Sequence, residues 1–164
     1  MPEGGSNRRT GRSGDRRRWP RGGRRASDQP GRWPTLLVAD RHDDARGIHA
    51  RYLGRLNFQI ETAATAEEVF SVLRESRPAA VLLESRLPEL PPWHLGVWLE
   101  SDRKAPRTPI IVLEGVGGDD VGPSSPFEPS AVLSKPFELS HLVEAVRRAL
   151  REVLPPVAGE PGVC

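Results

Sequence analysis

Cysteine is nearly missing from this chain: the one residue, Cys164, stands at the last position. No intrachain disulfide can form, which excludes the stapled class of small secreted folds and points to a reducing compartment. A cysteine in final place cannot form a prenylation box either. Long apolar runs are also missing. Arg8-Arg9 is followed by none of the hydrophobic sequence an export signal needs, so the expectation is a cytoplasmic protein without a membrane span. Catalytic signatures are scarce: there is no Walker, dinucleotide or G-x-S-x-G pattern, and Ser85 has no base partner in reach by sequence. The four histidines, His42, His49, His94 and His141, show no metal-ligand spacing, which argues against zinc. His42 lies nearest the rim formed by the strand ends and could modulate it by protonation, but it is expected as a surface residue.

What is present divides sharply by charge. Residues 1 to 34 hold ten arginines against Glu3, Asp15 and Asp28, whereas the remainder is mildly acidic. This first stretch is rich in Gly, Arg, Ser and Pro and almost free of aliphatic side chains. It cannot bury enough apolar surface to offset its ordering entropy, so residues 1–34 are expected to form a disordered basic arm. Its cation cluster around Trp19, within residues 8 to 25, has the composition that binds nucleic acid by counterion release and stacking. The plainer alternative is a solvated extension. Pro155-Pro156 sets off a second loose tail, residues 153–164.

Between the tails, residues 35–152 alternate strand and helix. Ala80-Val81-Leu82-Leu83 is a short apolar run that ends at Glu84, as a strand buried on both faces should. Leu36-Leu37-Val38-Ala39 ends at Asp40 in the same way, Ile110-Ile111-Val112-Leu113 at Glu114, and Ala131-Val132-Leu133-Ser134 at Lys135-Pro136-Phe137. Phe58 to Thr62 alternates apolar and polar, as a strand nearer an edge does. Side by side and parallel, these strands bring Asp40, Glu84, Glu114 and Lys135 to one rim, where open α/β sheets place their sites.

The helices follow from local signals. Asp43 or Asp44 is expected to cap a helix to about Leu56 with Ile48, Tyr52, Leu53 and Leu56 inward, and Asn57 to stop it. Thr65 and Glu68 form a capping box ahead of Val69, Phe70, Val72 and Leu73. Pro91-Pro92 opens a third helix containing Trp93 and Trp98, both expected in packing roles. The last helix spans about Glu138 to Glu152. Between Glu114 and Lys135 a further helix would complete the alternation, but the prolines and glycines there predict a long loop with at most one helical turn.

These anchors together resemble the receiver domain of two-component response regulators: Leu36 to Asp40, Val81 to Glu84 with Arg86-Leu87-Pro88, Thr108 to Leu113, and Ser134-Lys135-Pro136-Phe137, in order and at matching spacing. The resemblance implies a flavodoxin-like five-stranded parallel sheet of order 2-1-3-4-5, helices on both faces with a degenerate fourth helix, and a cis peptide at Pro136. In that family an acidic pair holds magnesium, an aspartate accepts phosphoryl from a histidine kinase, a Thr or Ser and an aromatic follow the switch, and a lysine pairs with the phosphoryl group. Asp40 and Lys135 match. Arg41 replaces the second acid, Glu84 the phosphoacceptor, Glu114 the switch hydroxyl and Val132 the aromatic.

Each departure has a physical cost. Glu84 is one methylene too long for a well-placed in-line attack, Glu114 repels an incoming phosphoryl group, and Arg41 puts a cation where the metal needs a carboxylate. The expectation is therefore a degenerate receiver held in one state by a Glu84–Lys135 ion pair, not an enzyme, with no catalytic residue and no cofactor beyond weak magnesium binding at Asp40 and Glu84. No DNA-binding output domain is expected after Glu152. The expected role is a stand-alone signalling module that contacts a histidine kinase or another regulator. A nucleic-acid-associated regulator tethered through residues 8 to 25 is the alternative.

Overall fold

The computed structural model describes residues 33–101, 107–116 and 127–153. The expected basic arm, the tail beyond Val153, and most of the long loop after Glu114 lie outside these residues.

Five strands form one parallel sheet: β1 (Trp33–Ala39), β2 (Phe58–Ala63), β3 (Ala80–Glu84), β4 (Ile110–Glu114) and β5 (Ala131–Ser134), in the order β2-β1-β3-β4-β5. The four helices are α1 (Asp43–Arg55), α2 (Ala66–Ser76), α3 (Pro92–Ser101) and α4 (Leu139–Val153). Because β1, β3 and β4 are covered on both sides, their side chains divide by parity between two cores. Leu36, Val38, Leu82, Ile111 and Leu113 face α1 and α4. Leu37, Val81, Leu83 and Val112 face α2 and α3. This burial on both faces explains why these strands read as continuous apolar runs.

Local signals fix most boundaries. Thr65 Oγ1 accepts from the Glu68 amide at 3.3 Å, and Glu68 Oε2 accepts from the Ala64 amide at 2.6 Å. The capping box therefore closes, with its return bond one residue earlier than the usual N-cap amide. Asn57 ends α1 at φ 70°, a left-handed conformation that asparagine tolerates. On α3, Trp98 packs edge-on against Phe70 with ring centroids 5.1 Å apart, whereas Trp93 is 47% exposed and stacks on its neighbour His94. Gly96 lets the Phe127 ring lie directly on α3, where any Cβ would overlap it.

Three expectations need correction. The domain begins earlier than residue 35, because Trp33 already pairs with Phe58 and Pro34 sits at the register shift between Trp33 and Thr35. Proline lacks the amide a regular ladder needs, and an irregularity is where a strand accommodates it. The N-cap of α1 is His42, without a side-chain cap bond, and Asp43 and Asp44 fall in the first turn. Acids there are favoured by the helix dipole instead of by capping. Finally, α1 buries His49 and Leu53 and leaves Ile48 47% exposed. The helix phase is set by Leu53, and four residues back that face carries His49, not Ile48.

Candidate functional site

The parallel register delivers the strand ends to one edge. Ala39 stands opposite Leu83, Glu84 opposite Leu113, and Glu114 opposite Ser134. Main-chain bonds continue the ladder past the strands, from the Asp40 amide to Ala63 O, the Ser85 amide to Leu113 O and the Lys135 amide to Glu114 O. The loop after β3 is held down by Leu87 and Leu90, 3% and 0% exposed. Asp40 and Glu84 are thereby fixed side by side, both buried.

Four charges meet there. Asp40 Oδ2 accepts from Lys135 Nζ at 2.9 Å, and Oδ1 accepts from the His42 amide at 2.9 Å. Glu84 Oε2 accepts from the Arg41 amide at 3.0 Å, and Oε1 lies 3.3 Å from Arg41 Nε. His42 Nδ1 sits between the two carboxylates, 3.2 Å from Asp40 Oδ1 and 3.4 Å from Glu84 Oε1. Arg46, one turn into α1, donates to the Asp40 carbonyl at 2.7 Å. Burial raises the Asp40 pKa, but the Lys135 hydrogen bond, the His42 amide and the Lys135 charge together outweigh it and hold the carboxyl below its ordinary value.

The expected ion pair between Glu84 and Lys135 does not form. Arg41 covers Glu84 with both its amide and its guanidinium, and the lysine takes the uncovered oxygen of Asp40 instead. Glu114 reaches the same edge but turns toward β5, where its carboxylate accepts from Ser134 Oγ at 3.3 Å. Val132 is 41% exposed, and the Lys135-Pro136 peptide is cis. Arg46 is the site residue that sequence reasoning missed, and His42, which it places nearest the rim, has contacts to both carboxylates that it did not foresee. Their signal was positional: His42 follows Asp40 by two residues at a strand-to-helix junction, and Arg46 lies one helical turn further on.

Magnesium, which the resemblance implies, does not fit these residues. It demands a near-octahedral oxygen shell, whereas here one Asp40 oxygen is held by Lys135 and the position of the second acid carries a guanidinium.

Beneath the rim, His49 is 6% exposed, its Nδ1 has no hydrogen-bond partner, and its ring stacks on Phe137 at 5.5 Å. Burial lowers its pKa below the ordinary 6.5, the Lys135 charge lowers it further, and Asp40 opposes both. The folded state thus holds the proton less tightly than the unfolded chain, and stability falls as pH drops from about 6.5 through the folded value. In urea titrations the midpoint should decrease between pH 7.5 and 5.5, and His49→Leu should flatten that slope. An unchanged slope would assign the pH dependence to other groups.

A parallel sheet of order 2-1-3-4-5, with acids at the ends of β1 and β3 and a lysine after β5, is the architecture of the receiver fold. Comparison with solved structures agrees on the fold. The chain is similar to the signal receiver domain of a response regulator from Bermanella marisrubri, with TM-score 0.64 and 21% identity over 71% of this chain and 98% of that one. It is similar also to the signal receiver domain of a signal transduction histidine kinase from Syntrophus aciditrophicus, with TM-score 0.66 and 20% identity over 79% and 98%. In sequence it is 30% identical, over 118 residues, to the transcriptional regulatory protein SrrA of Staphylococcus aureus, covering 71% of this chain and 47% of SrrA. The chain thus spans about half the length of the curated relatives it matches. No protein-family model matches it. The domain has the fold of a response-regulator receiver domain.

Proposed function

We propose that this receiver domain serves two-component signalling by protein contact and without accepting a phosphoryl group. The observation that carries this is the state of Glu84. Its side chain is 5% exposed, and its two oxygens face the Arg41 amide and guanidinium. A phosphoacceptor carboxylate must present a free oxygen in line with the donor. Glu84 offers no free oxygen, and its extra methylene displaces the attacking atom from the in-line position.

The Asp40–Lys135 pair supports the same reading. In a responding receiver the lysine is to pair with the incoming phosphoryl group, and here a buried carboxylate already occupies it. A domain so arranged has a single rim state to present to its partner, a histidine kinase or another regulator in the cytoplasm, and performs no catalysis of its own. Among the described residues no helix is long and apolar enough to cross a membrane.

Intact mass after incubation with magnesium and acetyl phosphate tests this. The wild-type chain and Glu84→Ala should both remain unmodified. A wild-type adduct that disappears in Glu84→Ala would show that the rim still performs phosphoryl transfer.

A further inference from the structure

We propose that the cleft at the amino ends of β4 and β5 is a docking site for the chain's own arginine cluster, residues 16–25. The cleft has a volume of about 450 Å³ and lies at the opposite end of the sheet from Asp40 and Glu84. Pro109 and Pro129, each close ahead of its strand, and the Phe127 ring resting on Gly96 give it an apolar wall. Glu100 near the end of α3, Glu128, and Glu152 near the end of α4 bring three carboxylates to the same opening. Apolar and aromatic surface beside carboxylates suits a guanidinium, which is weakly hydrated, stacks by its plane and donates by its edge. A lysine ammonium, more strongly hydrated, gains less from such a wall.

The chain carries such a ligand within reach. Residues 16–25 hold six arginines and Trp19. They join the domain at Trp33, the first residue of β1, and β1, β3 and β4 start at one end of the sheet: the Ala79 amide donates to Thr35 O at 2.8 Å and the Val81 amide to Pro109 O at 3.0 Å. Only β3 stands between β1 and β4, so Pro109 is about 10 Å across the sheet from β1. The eight residue steps from Arg25 to Trp33 extend to about 26–29 Å, well over that distance. A short tether sets an effective concentration in the millimolar range, at which contacts too weak to join separate molecules are populated.

Charge complementarity selects this occupant. Glu128 is exposed, and no described cation pairs with it. Glu100 has Arg107 Nη2 at 3.4 Å and Glu152 has Arg148 Nε at 3.5 Å, but these four side chains are 51–87% exposed, and surface pairs of that kind are weak enough for incoming arginines to share the carboxylates. The strongly basic residues 1–34 and the mildly acidic remainder attract one another within one chain, and salt weakens that attraction. So docked, the arginines are withheld from other polyanions. The inference holds whether or not the domain accepts phosphoryl or relays a signal.

Paramagnetic relaxation in the full chain tests this, with a nitroxide attached through Gly22→Cys in a Cys164→Ser background. In low salt the nitroxide should reduce the amide intensities of Gly96, Thr108 and Ser130 by roughly twofold or more, leave those of Asp43 and Ala45 at the rim near their full value, and lose its effect by about 0.5 M salt. Glu128→Gln combined with Glu152→Gln, both at exposed positions, should keep the fold by circular dichroism and restore most of the lost intensity. An isotope-labelled chain without nitroxide, mixed with an unlabelled nitroxide-bearing chain, should show no loss. Equal loss at cleft and rim, no loss at the cleft, or a loss that survives the double glutamine variant would each overturn the proposal. Loss in the mixed sample would overturn it too, by giving the cleft to a second copy of the chain.

Discussion

Replacing Lys135 with methionine should cost about 3 kcal/mol at pH 7, the lower end of the loss seen when one partner of a buried ion pair is removed. Asp40 has no exposure to water and would keep its charge without its principal cation, while the 25% exposure of the Lys135 side chain places the loss at the lower end. The His42 amide and the Arg46 contact to the Asp40 carbonyl remain, and neither supplies a full charge to the carboxylate. Acid should relieve the defect. With the lysine in place the Asp40 pKa is depressed, so the stability it contributes is present above the ordinary carboxylate value and is lost as pH falls through the folded value. Removing the lysine takes away two of the influences that lower the Asp40 pKa and leaves burial, the largest influence, opposed by His42 alone, so the gap to wild type should narrow as pH falls.

Chemical denaturation of wild type, Lys135→Met, Asp40→Asn and the double variant measures this directly. The double variant should be more stable than the sum of the single losses allows, because it leaves neither charge unpaired. A Lys135→Met loss below about 1 kcal/mol, or strict additivity, would mean that the pair is solvated and weak like a surface bridge.

Leu82→Ala should have an effect of similar or greater size, about 3–4 kcal/mol. Leu82 lies in the middle of β3, the central strand, with no exposure, between Val38 of β1 and Ile111 of β4. Its side chain faces the core shared with α1 and α4. Regular sheet backbone surrounds it, so the site cannot collapse easily and the truncation leaves a cavity as well as a lost transfer term. Against a total stability of about 5–15 kcal/mol this is a large fraction. The melting temperature should fall by roughly 10–15 °C. A shift under about 4 °C would indicate that neighbouring side chains refill the space. Ile48→Ala, on the exposed side of α1, is the natural control and should change little.

The fold was largely readable from the sequence because its signals are local. Three apolar runs of strand length, each closed by an acid, specify parallel strands buried on both faces, a fourth shorter run gives the half-exposed edge strand β5, and the resemblance to receiver domains supplies their order in the sheet. Thr65 with Glu68, Asn57 and Pro92 mark helix ends through bonds and dihedrals that span a few residues. The convergence of Asp40, Glu84 and Lys135 was likewise readable, since a parallel sheet must bring its carboxyl ends together.

Pairing within that rim was not readable. Sequence order says that three acids and two cations share an edge, but not which oxygen each cation takes. That choice is made by distances of a few tenths of an ångström, and the structure gives Lys135 to Asp40 and Arg41 to Glu84. Helix phase was a similar case: Ile48 is the more apolar residue, yet the packing of Leu53 turns His49 inward. His42 belongs to the same class, because its ring meets Asp40 and Glu84 only when β1 and β3 lie adjacent, 42 positions apart in the chain from His42 to Glu84. The sequence by itself determined the strands and the residues at their ends through short-range pattern, and their order in the sheet through its resemblance to receiver domains. Tertiary structure alone decided which charges neutralise one another, because electrostatic partners are chosen by distance in space.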